Sequence, residues 1–177
     1  MKLFFHVCCA PCLTGCLESL EKSIEPTLFW YNPNIQPHAE YTKRKDTLVQ
    51  FAHSQNIPLV SEGHHGLKLD DDPQSCTVQQ SCTVQQSCTF CYRMRIEKTA
   101  FMAKTLGFNT FNSTLFISPY QNHDLLRQEA EAAADRHGIS FFYRDFRPFF
   151  RSAQEKARHL GLYRQKYCGC LFSKEAR

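Results

Sequence analysis

Along this chain, short apolar runs alternate with longer stretches in which apolar residues recur at helical spacing. The apolar runs predict strands at 2–7, 27–31, 57–61, 110–117 and 139–143. The helical spacing predicts helices at 12–23, 40–54, 90–106, 124–137 and 152–160. Because strands that alternate with helices build a parallel sheet covered on both faces, we expect a single-domain, Rossmann-like α/β fold with a mainly parallel sheet of about five strands flanked by helices.

A polar stretch at 62–87 separates the third predicted strand from the third predicted helix, and we expect it to be a mobile loop. The segment Ser-Cys-Thr-Val-Gln-Gln begins at position 75, recurs from position 81 and starts a third time at position 87. A repeat this short indicates a local duplication, because a solenoid needs longer repeats that bury a shared core. We interpret Cys76 and Cys82 as copies of Cys88 that hold no ligand, since only Cys88 is followed at metal-site spacing by a partner, Cys91, and by a helix.

With 177 residues, the chain has the size of one domain over 1–177 and can bury a core without disulfides. The apolar run after Lys2 is interrupted by His6 and is too short for a secretion signal, and no apolar stretch is long enough to cross a bilayer. We expect a cytoplasmic protein with no membrane contact. In that compartment ten cysteines stay reduced, and they indicate metal or redox chemistry rather than disulfides.

The net charge of +4 says little about partners, but its distribution is uneven. The segment 140–177 has nine Lys or Arg and three acidic residues, so it carries +6 and the rest of the chain −2. Aromatic residues are interleaved with these cations. Either a solvated helix face with a basic tail or a phosphate-binding surface for nucleic acid fits this pattern.

Seven cysteines carry the candidate chemistry. Cys8, Cys9 and Cys12 stand where the first strand gives way to a helix, and two pairs, Cys88 with Cys91 and Cys168 with Cys170, lie far along the chain. Carboxyl ends of parallel strands share one edge of the sheet, so we expect a cysteine-rich metal site at that edge. Four thiolates bind one zinc or one iron–sulfur cluster, and seven are too many for one such site. Either three are spare or two metal centres share a pocket; a closed zinc site that supports the C-terminal tail stays open.

Motifs spread over nearly the whole chain resemble, in family order, the QueH family of epoxyqueuosine reductases, which act without cobalamin. They are HVCCAPC at 6–12, YNPNI at 31–35, EY at 40–41, CTFCYRMR at 88–95, TA at 99–100, STL at 113–115, SPYQ at 118–121, DFR at 145–147 and YRQKYCGC at 163–170. The resemblance implies a two-electron reductive deoxygenation of epoxyqueuosine to queuosine at the wobble position in the anticodon loop of tRNA.

The resemblance also implies a metalloenzyme with a 4Fe-4S cluster beside a mononuclear metal ion, iron. The matching metal ligands are Cys8, Cys9, Cys12, Cys88, Cys91, Cys168 and Cys170. Their division between the two centres stays open, with Cys88, Cys91 and one of Cys8 or Cys9 as our assignment for the cluster. An external electron donor is needed, because the chain has no Gly-X-Gly-X-X-Gly fingerprint for a nicotinamide or flavin.

Further site residues follow the ends of predicted strands or belong to the motifs. Asp145 and Arg147 are candidates to orient the substrate or deliver a proton, and an internal salt bridge is the competing interpretation. The candidates for substrate binding are Asn32, Arg95, Gln121, Tyr163 and Arg164. His6 is interpreted as a hydrogen-bonded neighbour of the cysteines rather than a ligand.

Two other classes of protein are alternatives to a reductase. ATP-using tRNA thiolases share a similar α/β arrangement, but their Ser-Gly-Gly-X-Asp-Ser phosphate loop is replaced here by Cys8-Cys9-Ala10-Pro11. A non-catalytic, zinc-stabilised RNA-binding domain is the second alternative. Colour separates it from the reductase, because an iron–sulfur cluster absorbs visible light and zinc does not.

Overall fold

The computed structural model describes residues 1–62, 84–170 and 173–174, with only the backbone described at 84–87. The strands are β1 (Lys2–His6), β2 (Glu25–Trp30), β3 (Leu59–Ser61), β4 (Thr110–Ser113) and β5 (Ser140–Phe141). The helices are α1 (Ala10–Ser19), α2 (His38–Ser54), α3 (Val84–Thr105), α4 (His123–His137) and α5 (Phe150–His159). The predicted loop with its repeat, including Cys76 and Cys82, lies outside the described residues over 63–83.

All strand pairs in the sheet are parallel, in the order β3-β2-β1-β4-β5. The predicted fold class is therefore confirmed. β1 is central: His6 at its end is level with Phe29 of β2 and Ser113 of β4. The chain leaves β1 toward β2 on one side and later returns to β4 on the other, so the strand order reverses between β1 and β4. In open α/β sheets this reversal opens a crevice at the carboxyl ends of the strands, where ligands bind.

Helices cover both faces of the sheet. Right-handed crossovers place α1 and α2 on one face and α3 and α4 on the other. α5 returns to pack on α1, and α3 packs on α4 and on β1. The α1–α5 contact is close because Gly15 has no side chain: a Cβ there would lie 2.7 Å from Ala153 Cβ.

Aromatic side chains fill much of the core between these layers. Phe4 and Phe29 stack across neighbouring strands with ring centroids 5.1 Å apart, and Phe5 contacts Phe146 at 5.9 Å. All four are fully buried. Burial of one such ring contributes about 1.5–3 kcal/mol, so this core holds the central strand rigidly under the cysteines that follow it.

Several element boundaries differ from the sequence prediction. β4 was expected to continue to position 117, but it ends at Ser113 and a 3₁₀ turn follows (Thr114–Ile117). The cause is local, because Ser113 Oγ accepts a hydrogen bond from the Leu115 N–H at 3.1 Å and caps the turn. β5 is shorter than predicted, α3 begins earlier than position 90, and α1 begins at Ala10 rather than at position 12.

Among the helices that the structure describes, none combines the length and the apolar character needed to cross a membrane.

Candidate metal centre

Cys8, Cys9 and Cys12 form a compact group of thiols just beyond the carboxyl end of β1. Their Sγ atoms all lie within 4.8 Å of one another, and those of Cys8 and Cys9 are 3.9 Å apart. Sulfurs that share a tetrahedral ion at about 2.3 Å are separated by about 3.8 Å. The three thiols are therefore spaced to hold one metal ion, with a fourth coordination position left for another ligand.

The start of α1 shapes this group. Cys9 is the N-cap residue, and its Sγ accepts a hydrogen bond from the Cys12 N–H at 3.3 Å. Thr114, in the turn after β4, accepts the Cys8 N–H at 2.9 Å and donates its hydroxyl to Cys8 Sγ at 3.2 Å. Because N–H and O–H donors stabilise a sulfur anion, the end of β1 favours thiolate formation.

The protons in the group are unequally shared. Hydrogen bonds with the thiols of Cys12 and Cys9 hold the pKa of Cys8 well below its usual value, against the effect of burial. Burial raises the pKa of Cys9, and hydrogen bonds to Cys8 and Cys9 raise that of Cys12. One thiolate is thus stabilised by its two neighbours. A bound cation would replace their protons, so metal binding should release protons.

His6 lies next to the cysteines with both ring nitrogens engaged. Nδ1 is 2.7 Å from Ser113 Oγ, and Nε2 is 3.1 Å from the Tyr31 carbonyl oxygen. A carbonyl oxygen only accepts, so Nε2 carries the proton and Nδ1 accepts from the hydroxyl. Burial lowers the pKa of His6 to about 4. The neutral ring therefore joins the ends of β1, β2 and β4 and has no nitrogen left for a metal.

The second thiol pair lies on α3. Cys88 and Cys91 are one turn apart, and Arg95 follows one turn later on the same face. The Arg95 side chain is buried and donates from Nε to the Cys91 carbonyl oxygen at 3.1 Å. Burial raises the pKa of Cys91 to about 12, although the charge of Arg95 opposes that shift.

A buried arginine on α2 fastens the third pair, Cys168 and Cys170. Arg44 donates hydrogen bonds to the carbonyl oxygens of Cys168 at 3.0 Å and Tyr167 at 3.1 Å. Its Nε is 2.7 Å from Glu40, which anchors the guanidinium. The C-terminal segment is therefore held against α2 by its backbone, and both cysteine side chains are left for other contacts.

Two glutamine side chains reach across to sulfur. Gln165 donates from Nε2 to Cys9 Sγ at 2.9 Å, and Gln121 donates from Nε2 to Cys168 Sγ at 3.8 Å. Gln121 is itself held, because its Oε1 accepts the Tyr92 hydroxyl at 2.8 Å. Gln121 does not cap the helix that follows, since the N-cap of α4 is Asn122.

The three cysteine segments meet at one edge of the sheet. Beyond the effect of burial, charge on Cys168 raises the pKa of Cys88 and Cys91, and charge on Cys8 raises that of Cys168. Cys170 acts on the same three thiols. Groups that perturb one another in this way are close in space. Among the described residues, Cys8, Cys9 and Cys12 form the compact group, and the thiols of the other two segments are near enough to perturb it or one another.

Buried polar atoms without a hydrogen-bond partner, counted over the described side chains, include several beside these thiols. They are Asn32 Oδ1, both amide atoms of Asn34, Arg95 Nη2 and Gln165 Oε1. Leaving such an atom unpaired costs about 1–3 kcal/mol, so a polar or charged group is expected to form hydrogen bonds with these atoms. Together with seven soft sulfur donors, this surrounding fits an iron or iron–sulfur group.

The predicted substrate residues occupy different depths. Asn32 is fully buried and donates from Nδ2 to the Val7 carbonyl oxygen at 2.8 Å. Tyr163 donates its hydroxyl to Glu40 Oε2 at 2.7 Å, and Arg164 is exposed to solvent. Arg95 lies beneath the thiols, whereas Gln121 lies beside them. Only part of this set is therefore placed to meet a ligand that arrives from solvent.

Asp145 and Arg147 form a bidentate ion pair after β5. The Arg147 Nε and Nη2 atoms are 2.9 and 2.7 Å from the carboxylate oxygens of Asp145. These hydrogen bonds hold the pKa of Asp145 below its usual value, so it is a carboxylate near neutral pH. His123 approaches the same carboxylate at 3.7 Å. The internal salt bridge considered from the sequence is present, at the carboxyl edge of the sheet.

Sequence reasoning did not single out Gln165, Arg44 or Glu40 as parts of this site. Glu40 and Gln165 lie inside the motifs at 40–41 and 163–170, and Arg44 lies three residues beyond the first of them; that proximity was the only available signal. Their partners are far away in sequence, and no local spacing rule connects an arginine on α2 to carbonyl groups near the C-terminus.

Known proteins that are similar to this chain share one name. A family model described as "Epoxyqueuosine reductase QueH" matches residues 3–176. A protein named epoxyqueuosine reductase QueH from Dehalococcoides mccartyi is 33% identical over 99% of this chain and 94% of its own length. Proteins of the same name are 30% identical in Thermotoga maritima, over 97% of this chain and 89% of theirs, and 33% identical in Acinetobacter baylyi, over 97% and 80%.

Proposed function

The chain belongs to the epoxyqueuosine reductase QueH family, and from this membership we propose that it reduces epoxyqueuosine in tRNA to queuosine. The observation that supports the proposal best is the group of three thiols after β1, to which Gln165 joins the C-terminal segment, while Gln121 joins that segment to α3. A site with this many thiols suits electron transfer coupled to metal chemistry. The single α/β domain is accordingly proposed to be a metalloenzyme over 1–177.

The proposed cofactors are a 4Fe-4S cluster and an adjacent mononuclear iron. Cys8, Cys9 and Cys12 have the spacing for a single ion with an open position. That leaves Cys88, Cys91, Cys168 and Cys170 as four ligands for a cluster. In the alternative division, Cys8 or Cys9 is a ligand of the cluster. The two divisions predict that different single-cysteine variants lose sulfide, so metal and sulfide analysis of these variants distinguishes them.

The reaction requires two electrons and two protons for each epoxide, because the two C–O bonds are replaced by one C=C bond and the oxygen leaves as water. When bound, the two metal groups would supply one-electron transfer from an external donor and a Lewis acid for the departing oxygen. The protein's own part is to bind and orient. Gln121, beside Cys168, is proposed to hydrogen-bond the base or its cyclopentane diol. Asn32 is proposed to offer its unpaired Oδ1 as a further polar contact.

Asp145 and Arg147 are proposed to orient the substrate. Because Arg147 keeps Asp145 ionised, the carboxylate is suited to accept hydrogen bonds from hydroxyl groups rather than to donate a proton. Arg147 is itself exposed and can face a phosphate at the same time. Removal of the pair is therefore expected to raise KM more than it lowers kcat.

The tRNA is proposed to lie along the basic segment 140–177. Arg151, Arg158, Arg164 and Lys166 are exposed there, and Tyr163 stands at its edge with Lys43 over its ring. Exposed cations neutralise phosphates, and exposed aromatic rings stack on unpaired bases of an anticodon loop. A cytoplasmic location is proposed on the same grounds, since tRNA and reduced thiols coexist there.

Anaerobic turnover tests the function. The purified protein is incubated with tRNA that contains epoxyqueuosine and a chemical reductant, and the nucleosides are then analysed. The proposal expects queuosine to appear in wild type and in C16A, because Cys16 is a buried core residue one turn beyond Cys12. It expects no product from C91A. A metal-loaded wild type that leaves epoxyqueuosine intact, while binding the tRNA, would favour the non-catalytic RNA-binding alternative.

A further inference from the structure

Arg95 is a buried cation whose charge is not compensated by a carboxylate. Its side chain is 1% exposed, and arginine is rarely buried so fully without an acidic partner. Within the part of the chain that the structure describes, the ion pairs of Glu and Asp are with other cations: Arg44, Arg93, Lys98, Arg127, Arg136, Arg147 and Arg151 among them. Another source of negative charge must therefore balance Arg95.

The geometry of the guanidinium indicates where that charge lies. Nε is fixed on the Cys91 carbonyl oxygen at 3.1 Å, which aims the fork along the cysteine face of α3. Nη2 is buried and has no hydrogen-bond partner among the described residues. The acidic groups that act on Arg95 most strongly are the thiols of Cys91, Cys168 and Cys8, one from each cysteine segment.

From this geometry we infer that Arg95 is the fixed counter-charge of the sulfur-bound metal site, with Nη2 as hydrogen-bond donor to a thiolate or sulfide of the bound group. The inference rests on the proposed function, because it takes a cluster as that group. It assigns Arg95 to the electronics of the cofactor rather than to the substrate. The tRNA backbone cannot be its partner, because the side chain is enclosed.

A counter-charge of this kind has a definite effect on electron transfer. Reduction adds negative charge to a cluster, and a nearby cation with a hydrogen bond to sulfur stabilises the reduced form. Arg95 should therefore raise the reduction potential and so ease electron transfer from the donor. Without a bound group the same charge is buried and unpaired, and it should destabilise the apoprotein.

The experiment compares R95M and R95Q with wild type and with R93M, a control on the same helix whose arginine is exposed and paired with Glu129. Iron, sulfide, midpoint potential and the rise in Tm on cluster loading are measured anaerobically. At the wild-type midpoint potential, the ratio of reduced to oxidised cluster in R95M is expected to fall at least tenfold. For a one-electron couple, this corresponds to a midpoint potential at least 59 mV lower. The rise in Tm on loading should also be smaller, whereas R93M should match wild type in both.

A purely structural role for Arg95 would lower the Tm of apo and loaded protein alike and leave the potential unchanged, which would overturn the inference. If R95M gives no folded protein, R95Q decides, because glutamine is polar but carries no charge: a midpoint potential at least 59 mV below wild type supports the inference, and an unchanged potential overturns it. If wild type itself holds no iron and sulfide, the proposed cofactor fails and the inference fails with it. If wild type holds iron and sulfide and R95M has the same midpoint potential, the inference is overturned but the proposed cofactor is not.

Discussion

The side-chain amide of Gln165 donates a hydrogen bond to Cys9 Sγ over 2.9 Å, although the two residues are 156 positions apart in sequence. This contact joins the C-terminal segment to the first turn of α1. It also orients a sulfur that is buried and acts as the helix cap. A neutral N–H donor to a sulfur ligand both fixes its direction and stabilises its thiolate form.

Replacing Gln165 should therefore weaken metal binding without unfolding the protein. In Q165L the donor is lost and the shape nearly kept, and we expect metal affinity to fall about 10- to 100-fold. Competition with a chelator at fixed iron measures it. The neighbouring exposed residue gives the control, K166M, which should bind metal like wild type; equal affinity in Q165L would remove Gln165 from the site.

Gly169 is expected to be intolerant of any side chain. Its φ of +135° lies in the region that favours glycine, and a Cβ would meet Ile35 Cγ1 at 3.0 Å and Asn34 Nδ2 at 3.2 Å. G169A should lose about 1–3 kcal/mol at this loop and should hold less metal, because Cys168 and Cys170 flank the strained residue. Gly107 supplies the comparison, since its φ is +78° and a Cβ there meets nothing within 4 Å. Urea unfolding and metal content of G169A and G107A are compared; equal metal content would contradict the prediction.

Acid stability should depend on Glu97, which lies on α3. Burial raises its pKa, but hydrogen bonds from Arg136 and His137, at 2.5 and 2.6 Å, outweigh burial and hold the pKa below its usual value. A depressed carboxyl pKa contributes stability that is present above the unfolded-state value, about 4.3, and is lost as pH falls through the folded-state value.

The Tm of E97Q, followed between pH 3 and 6, should accordingly change less with acidification than that of wild type. E131Q provides the comparison, because Glu131 pairs with Arg127 on the open surface of α4, where both partners are about half exposed. Such an exposed pair contributes about 0–1 kcal/mol. Parallel Tm curves for E97Q and wild type would show that the Glu97 cluster does not set acid stability.

Charge reversal tests the proposed tRNA surface. Arg151 and Arg158 are exposed on α5, and R151E with R158E should weaken tRNA binding. The slope of log affinity against log salt should also become shallower, by about 0.7–0.9 for each lost phosphate contact. Lys22, exposed but outside the basic segment, gives the control K22E. Filter binding over a salt series measures both quantities, and an unchanged slope would place the tRNA elsewhere.

The architecture could be predicted from the sequence because strand and helix periods are local signals. The apolar run 2–7 and the helical spacing behind it located β1 and α1, and the alternation of elements gave a parallel sheet. The end of β4 could not be predicted, since residues 114–117 are apolar enough for a strand. The Ser113 side chain accepts a hydrogen bond from the Leu115 N–H and turns them into a 3₁₀ turn instead.

The cysteines of the site were also visible in the sequence, because their spacing is typical of metal ligands. Their supports were not. Arg44 contacts carbonyl groups 123 and 124 residues away, and Gln165 reaches Cys9 from the other end of the chain. These pairings depend on how α2 and the C-terminal segment meet at the sheet edge, which only the folded chain determines.

Metal and sulfide analysis of anaerobically purified protein is the most direct test of the central claim, that the gathered thiols hold a cluster and a separate ion. The account predicts brown protein with about four sulfides and more than four irons per chain. It further predicts that C12A loses the iron in excess of four, while C16A keeps it. A colourless protein with a single zinc and no sulfide would contradict the account.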